Sequence, residues 1–129
     1  LSSRSRSHKR WVCGVAIPRV GSAYDLISGS VQGDICFWDL RRSSPLQVVQ
    51  AESDPMTSLA AHEFAPVIAT GTRSGTVKLW DFKGGSLAEI SHLDDFAGQR
   101  LAPVTGLAFH THRMLFAAAT SDGVVPVYA

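Results

Sequence analysis

Short apolar stretches recur along the chain, and polar or glycine-containing segments separate them. Residues 12–17 and 56–61 are examples, and each has the length of a β-strand rather than that of a typical helix. No segment sustains the 3.6-residue periodicity of an amphipathic helix. The pattern therefore predicts an all-β chain whose short strands are joined by tight turns.

One segment of this pattern occurs three times. Residues 27–39 and 69–81 align without a gap, and residues 117–128 continue the pattern. In each copy a glycine precedes an aromatic residue by five positions, which gives the pairs Gly33 and Trp38, Gly75 and Trp80, and Gly123 and Tyr128. Successive aromatic residues of these pairs are 42 and 48 residues apart. This spacing is close to the roughly 40–45 residues of one WD-repeat propeller blade.

A second block lies upstream of each copy. Residues 55–62 match residues 103–110 position by position, and residues 11–18 have the same role in the first copy. Two blocks in the same order three times predict a repeated unit of four strands. The expected first strands are 12–17, 56–61 and 104–109, the second 26–30, 68–72 and 115–120, and the fourth 46–50 and 87–90. The third strand of each unit follows the glycine turn.

These repeats predict a WD-repeat β-propeller, of which the chain forms about three four-stranded blades at the C-terminal end. The expected blades are approximately 11–50, 55–90 and 103–129. Since propellers need about four to eight blades, the rest of the propeller is expected before Leu1. The third blade lacks a fourth strand, which a strand from the start of the domain would supply.

Several repeat positions are predicted to be structural anchors. They are Trp38, Trp80 and Tyr128, with Gly33, Gly75 and Gly123 in the turns. Small residues in each second strand are expected to leave room for a tryptophan of the neighbouring blade. The Gly-His pair that often opens a WD repeat is absent, so an incomplete hydrogen-bond network is expected around the tryptophans. Pro126 is expected to remove a donor from an interior strand.

The charge of the chain is unevenly distributed. The formal net charge is +1, but residues 1–10 contain Arg4, Arg6, Lys9 and Arg10 and no acid, so the remainder is mildly acidic. This segment is predicted to be a disordered loop between blades. Two roles remain open for it. It is either an unmodified, solvent-exposed linker or a site of phosphorylation by a basophilic kinase, with Ser3, Ser5 and Ser7 as candidates. No nucleic-acid partner is expected, since no aromatic residue precedes Trp11.

Candidate chemistry adds little to this picture. Cys13 and Cys36 are expected to be free buried thiols, although a bridge is compatible with their number. The five histidines have no Cys, His or acidic partners at a recognised metal spacing, and no catalytic motif occurs. The sequence therefore predicts no catalytic residue, metal, cofactor or enzymatic activity. It also predicts no membrane insertion, since no apolar run reaches roughly 18–20 residues.

Three segments carry a specific resemblance. The insertion between the second and third units contains residues 94–100, Asp-Asp-Phe-Ala-Gly-Gln-Arg, and it is followed by residues 107–110, Leu-Ala-Phe-His, and 125–128, Val-Pro-Val-Tyr. Over residues 11–129 the chain resembles the C-terminal propeller of the raptor family, the scaffold subunits of TOR complex 1. The discriminating part is the Asp-x-Phe-x-Gly-Gln-Arg stretch.

The resemblance implies a non-enzymatic scaffold that supports substrate presentation to the TOR kinase in nutrient-dependent growth signalling and autophagy regulation. Its implied partners are the TOR kinase, other subunits of the complex and further protein regulators. The implied location is cytoplasmic, with recruitment to the vacuolar or lysosomal surface. Two other functions remain open. One is a WD-repeat adaptor of another assembly, either a ubiquitin-ligase receptor or a chromatin module, and the other is a propeller hydrolase.

The insertion is the best candidate for a partner-binding loop. Its candidate residues are Asp94, Asp95, Phe96, Gln99 and Arg100, within the segment 91–101. It joins two blades on a face that propellers use for partners. The alternative is that Phe96 and Arg100 only fix the insertion onto its own blades.

Overall fold

The computed structural model describes residues 8–18, 24–91, 102–123 and 125–128. Within these ranges the chain forms strands and turns and no helix, which confirms the predicted all-β class. The strands are β1 (Val12–Ala16), β2 (Leu26–Ser30), β3 (Asp34–Trp38), β4 (Gln47–Gln50), β5 (Met56–Ala61), β6 (Val67–Thr72), β7 (Thr76–Asp81), β8 (Ser86–Ser91), β9 (Val104–Phe109), β10 (Phe116–Thr120) and β11 (Val127–Tyr128).

The strands form three antiparallel sheets, each in sequence order. The first sheet contains β1 to β4, the second contains β5 to β8, and the third contains β9 to β11. Within each sheet, every strand pairs with the strand before it in the chain, since short turns join antiparallel neighbours. The chain is thus a series of three similar β-meanders.

The sheets have two rims, which the following sections call the upper and the lower rim. At the upper rim β1, β5 and β9 begin, and it includes the turns 31–33, 73–75 and 121–123. At the lower rim these strands end, and it includes the turns 39–46, 62–66, 81–85 and 110–115. The sheets pack through their first strands, with β1 on β5 and β5 on β9.

Two apolar clusters fill the spaces between the sheets. The cluster between the first and second sheets contains Ile27, Ile35, Phe37, Ala51, Met56, Ile68 and Trp80. The cluster between the second and third sheets contains Val77, Val104, Phe116 and Ala118. Burial of these side chains stabilises the stack at about 25 cal/mol per Å² of apolar surface removed from water.

The small residues of the second strands have a different neighbour from the one expected. A Cβ atom added to Gly29 would lie 2.8 Å from Met56 Sδ and 2.9 Å from Leu59 Cδ1, and one added to Gly71 would lie 2.5 Å from Val104 Cγ1. At Gly29 and Gly71 the neighbouring side chain is therefore not the expected tryptophan. They make room for aliphatic side chains on the first strand of the following sheet.

Pro126 lies just before the short strand β11. The backbone N–H of Ala118 donates to Pro126 O at 3.0 Å, so the proline joins the ladder through its carbonyl. Among the described residues β11 is at the edge of its sheet, where a missing donor is tolerated. The expectation of an interior strand depends on a further strand from outside this chain, and it stays a prediction.

The aspartates after the two tryptophans close turns at the lower rim. The carboxylate of Asp39 accepts hydrogen bonds from the backbone N–H and the guanidinium of Arg41. These bonds lower the pKa of Asp39 to about 2. Asp81 Oδ1 accepts from the N–H groups of Lys83 and Gly85. In both turns a side chain satisfies backbone donors that the ladder leaves unpaired.

Candidate interaction surface

In the first sheet a chain of hydrogen bonds starts at the indole of Trp38. Trp38 Nε1 donates to Ser28 Oγ at 2.8 Å, His8 Nε2 lies 2.7 Å from the same oxygen, and His8 Nδ1 lies 2.8 Å from Asp34 Oδ2. All groups are satisfied when Nδ1–H donates to Asp34 and the Ser28 hydroxyl donates to Nε2. Burial opposes ionisation of Asp34, but hydrogen bonds from Ser30 and His8 outweigh it and lower its pKa.

The expectation of an incomplete network is therefore wrong for this sheet. His8 belongs to the segment expected to be a disordered loop, yet its side chain is only 5% exposed. The sequence pattern missed it because it precedes Trp11 by three residues and is not part of a Gly-His pair. The spacing of three residues before the first strand is the signal that could have found it.

The second sheet has a network of the same shape with different chemistry. Trp80 Nε1 donates to Thr70 Oγ1 at 3.0 Å, and Thr70 Oγ1 donates to Glu52 Oε1 at 2.8 Å. Lys78 Nζ lies 3.2 Å from Glu52 Oε2, and Glu52 is only 3% exposed. Burial raises the pKa of Glu52, against the hydrogen bonds from Thr70 and Lys78 that lower it. Glu52 thus occupies the place that His8 has in the first sheet.

The described part of the third sheet has different residues at the positions that form this network. Ala118 replaces the hydroxyl residues, and Tyr128 replaces the tryptophans. Phe116 instead packs between Phe109 and Tyr128, with ring centroids 5.6 and 5.1 Å away. Aromatic contacts at this distance stabilise the sheet without a buried donor to satisfy.

One cluster of metal-ligand types converges in the structure. Ligand atoms of His8, Asp34 and Cys36 lie within 4.8 Å of one another. The spacing of the histidines in the sequence did not predict this convergence, and both nitrogens of His8 already hydrogen-bond to Asp34 and Ser28. These hydrogen bonds explain the positions of His8 and Asp34 as parts of the network around Trp38. Cys13 and Cys36 are free thiols, and burial raises the pKa of Cys13.

The lower rim contains a contact between the second and third sheets. His62 Nδ1 accepts hydrogen bonds from the backbone N–H groups of Phe64 and Ala65, at 3.0 Å each. Its Nε2 therefore carries the proton and donates to Arg113 O at 2.9 Å. The imidazole thus joins the two turns.

A groove lies between the outer parts of the second and third sheets. Its volume is about 490 Å³. Most of its lining is apolar, and the lining residues are Leu79, Ala88, Ile90, Phe109, Met114, Phe116, Val127 and Tyr128.

The upper rim contains the most exposed large apolar side chain among the described residues. Trp11 is 85% exposed. Lys9 and Arg10 directly precede it, and Arg73 lies on the same rim; all three are exposed. The chain also leaves β8 and enters β9 at this rim, so the predicted loop begins and ends there.

The predicted site residues fall into two groups. Trp38, Trp80 and Tyr128 lie in the sheets as described, and Gly33, Gly75 and Gly123 have φ values of 96°, 88° and 88°. The predicted loop (Asp94, Asp95, Phe96, Gln99, Arg100) and the predicted phosphorylation sites (Ser3, Ser5, Ser7) lie outside the described residues. Within the described ranges no helix is long and apolar enough to span a membrane.

The fold and the repeats define a class of protein. The family model "WD domain, G-beta repeat" matches residues 43–81, which include β4 to β7. With three consecutive antiparallel meanders, this match identifies the chain as a fragment of a WD-repeat β-propeller.

Comparison with individual proteins narrows the class. The chain is 37% identical over 126 residues to "Regulatory-associated protein of TOR 2" of Oryza sativa subsp. japonica, covering 96% of this chain and 9% of that protein. It is 31% identical over 121 residues to "Protein raptor homolog" of Dictyostelium discoideum, covering 94% and 8%. The crystal structure of Chaetomium thermophilum Raptor matches with a TM-score of 0.83 and 32% identity, covering 94% and 11%.

These matches confirm the resemblance inferred from the sequence: the chain belongs to the raptor family, as a WD-repeat segment of it. It spans about a tenth of the length of the relatives that it matches.

Proposed function

We propose that this chain is a non-enzymatic part of a TOR complex 1 scaffold subunit and supports substrate presentation to the TOR kinase in nutrient-dependent growth signalling. The observation that carries the proposal is the match to raptor over 94% of the chain, in sequence and in fold. In this proposal its partners are the TOR kinase, other subunits and protein regulators. Its location is cytoplasmic, with recruitment to the vacuolar or lysosomal surface. Neither a nucleic acid nor a cofactor takes part.

The exposed face of the first sheet supports the proposal that earlier blades precede this chain. Val12, Val15 and Ile17 of β1 and the adjoining turn are apolar and largely exposed. Their equivalents on β5 pack against the first sheet. A preceding blade would cover this face in the same way. We therefore propose blades at about 11–50, 55–90 and 103–129.

The test of the function is purification of the full-length protein from its own cells, with mass spectrometry of the co-purifying proteins. Recovery of the TOR kinase is the expected result. Recovery of a ubiquitin ligase or a chromatin complex without the kinase would replace the proposal by the alternative WD-repeat adaptor. The other alternative, a propeller hydrolase, would require that the purified protein hydrolyses a substrate.

The loop containing Asp94, Asp95, Phe96, Gln99 and Arg100 is the proposed contact for a regulator. Arg100 precedes Pro103 by three residues, as His8 and Glu52 precede Trp11 and Pro55. At the position of Ser28 and Thr70 the third sheet has Ala118, which offers no hydroxyl group to a residue in the place of His8 or Glu52. This supports a contact outside the blade over the alternative of a structural anchor.

Substitution of Phe96→Ala with Arg100→Ala tests the loop in the same purification. We expect a regulator to be lost while the yield of folded protein is unchanged. The matched control is Leu40→Ala with Lys83→Ala, which removes an exposed apolar and a basic side chain at the lower rim. If only the loop variant loses solubility, the result would favour the alternative that Phe96 and Arg100 fix the insertion onto its own blades. Phosphorylation of Ser3, Ser5 and Ser7 remains a prediction, to be checked by phosphopeptide mapping.

A further inference from the structure

Trp11 combines a fixed backbone with an exposed ring. Its carbonyl accepts a hydrogen bond from Val31 N at 2.8 Å, which ties it to the turn between β2 and β3. Its side chain is nevertheless 85% exposed. An exposed tryptophan leaves roughly 150–250 Å² of mainly apolar surface in water. Tryptophan is also the residue type most enriched at the energetic centres of protein interfaces.

The repeat shows that this exposure belongs to the position. Pro55 O accepts from Arg73 N at 2.9 Å, and Pro103 O accepts from Ser121 N at 3.0 Å, just as Trp11 O accepts from Val31 N. Pro55 is exposed although the second sheet lies between the first and the third. Pro55 therefore faces solvent although both neighbouring sheets are present, and Pro103 is half-buried. A blade packed before the first sheet would leave Trp11 accessible.

The charges around Trp11 are positive. Among the residues that the structure describes, none forms an ion pair with Lys9, Arg10 or Arg73. Along the rim from Trp11 towards Pro55 and Arg73, the backbone N–H of Met56 donates a hydrogen bond to Val31 O. The nearby acids Asp34 and Glu52 are buried and already bonded within the sheets.

Two further acids on the rim are exposed and lie in the second and third sheets. Asp54 accepts a hydrogen bond from Ser74, and Asp122 accepts one from Thr120. A broad anionic surface such as a membrane would face these carboxylates together with the cations. A narrow ligand can contact Lys9, Arg10 and Trp11 and avoid them. The charge pattern therefore favours a peptide over a membrane.

We propose that Trp11, Lys9 and Arg10 form a docking point for an acidic peptide segment of a partner protein. An apolar side chain of the peptide packs on the indole, and flanking carboxylates pair with Lys9, Arg10 and Arg73. Paired contacts of this kind combine apolar burial with charge complementarity, which directs association. The proposed site includes no residue of the loop 94–100 and does not depend on the identity of the complex.

The test uses the full-length protein and a short labelled peptide of glutamate and aspartate with one central leucine, followed by fluorescence anisotropy. We expect binding that weakens as the salt concentration rises. Trp11→Ala should weaken it about tenfold or more, and Lys9→Glu with Arg10→Glu should have a similar effect. The controls Leu40→Ala and Lys83→Glu, both at the lower rim, should leave binding unchanged.

Trp11→Pro provides a variant that separates binding from folding. Prolines occupy the equivalent positions 55 and 103, so the backbone accepts this residue while the ring is removed. Binding retained in both Trp11 variants would overturn the proposal, as would equal binding of a peptide with glutamine and asparagine in place of the acids. Trp11-dependent binding of phosphatidylserine vesicles without binding of the acidic peptide would assign the site to a membrane instead.

Discussion

The first two sheets and the third sheet solve the same packing problem in different ways. In the first two, a buried tryptophan donates to a hydroxyl that in turn bonds to His8 or Glu52. In the third, Ala118 and Tyr128 occupy the equivalent positions, and aromatic packing around Phe116 replaces the network. The hydrogen-bond network holds the tryptophan ring in one orientation, but every buried polar group in the network must keep its hydrogen-bond partner.

The first and third sheets also differ in how closely other segments pack against the turn between their second and third strands. Turn 31–33 packs against the segment after β4, since Ala51 N and Glu52 N both donate to Gly33 O. The corresponding turn 121–123 has no described segment beyond it, and a Cβ added to Gly123 would meet no atom within 4 Å. Among the described residues, a side chain at the turn glycine therefore meets a close contact in the first sheet and none in the third.

The largest expected effect compares the two turn glycines. Gly33→Ala combines a positive φ of 96° with a Cβ only 2.2 Å from Glu52 O, so we expect a loss of about 3 kcal/mol. Gly123→Ala has the same kind of strain without the clash and should cost about 1 kcal/mol. Local opening free energies from hydrogen exchange of the full-length protein would measure both. Equal losses would contradict the comparison.

A smaller effect is expected when the polar network loses its hydroxyl. Thr70→Val keeps the shape of the side chain but removes the acceptor of the Trp80 indole and the hydrogen bond to Glu52 Oε1, at a cost of about 2 kcal/mol. Hydrogen exchange at β6 and β7 is the measurement. The matched control is Thr105→Val at an exposed position of β9, which should stay within about 0.5 kcal/mol. Similar losses in both variants would show that the network adds nothing.

The smallest effect is a pH dependence of the second sheet. Burial raises the pKa of Glu52 above its usual 4.5, so the folded state holds the proton more strongly than the unfolded state. This contribution to stability is therefore present below pH 4.5 and is lost as the pH rises through the higher folded value. Glu52→Gln should remove this decline, whereas Asp54→Asn, at an exposed carboxylate, should keep it. Hydrogen exchange corrected for intrinsic rates would measure both.

Much of the fold could be predicted from the sequence because the repeat encodes it. The bounds of β2, β5 and β9 match the prediction, since alternation and glycine turns define them locally. The all-β class and the family were also predicted. The neighbours of Gly29 and Gly71 were not, because contacts between sheets depend on how the sheets stack, which periodicity within one strand does not specify.

The candidate site was less predictable. His8 and Glu52 are two chemically unlike residues at one repeat position, so no residue-type motif reveals their common role. The exposure of Trp11 was equally hidden, because the sequence places an apolar residue at the start of a strand and does not tell which way the ring faces. The repeat spacing, compared with the described position of Pro55, makes it interpretable.

The seams between the sheets differ in mechanical stiffness. Between the first and second sheets the outer edge is closed by Gln47, which donates to Lys83 O at 3.0 Å and accepts from Tyr24. Between the second and third sheets the outer edge contains the groove of about 490 Å³, while the first strands β5 and β9 remain in contact. When a mechanical force is applied, we therefore expect the contact between the second and third sheets to open first. The opening would begin at the outer edge, while the β5–β9 contact and the hydrogen bond between His62 and Arg113 resist it. Among the described residues, the two seams therefore differ although the sheets nearly repeat.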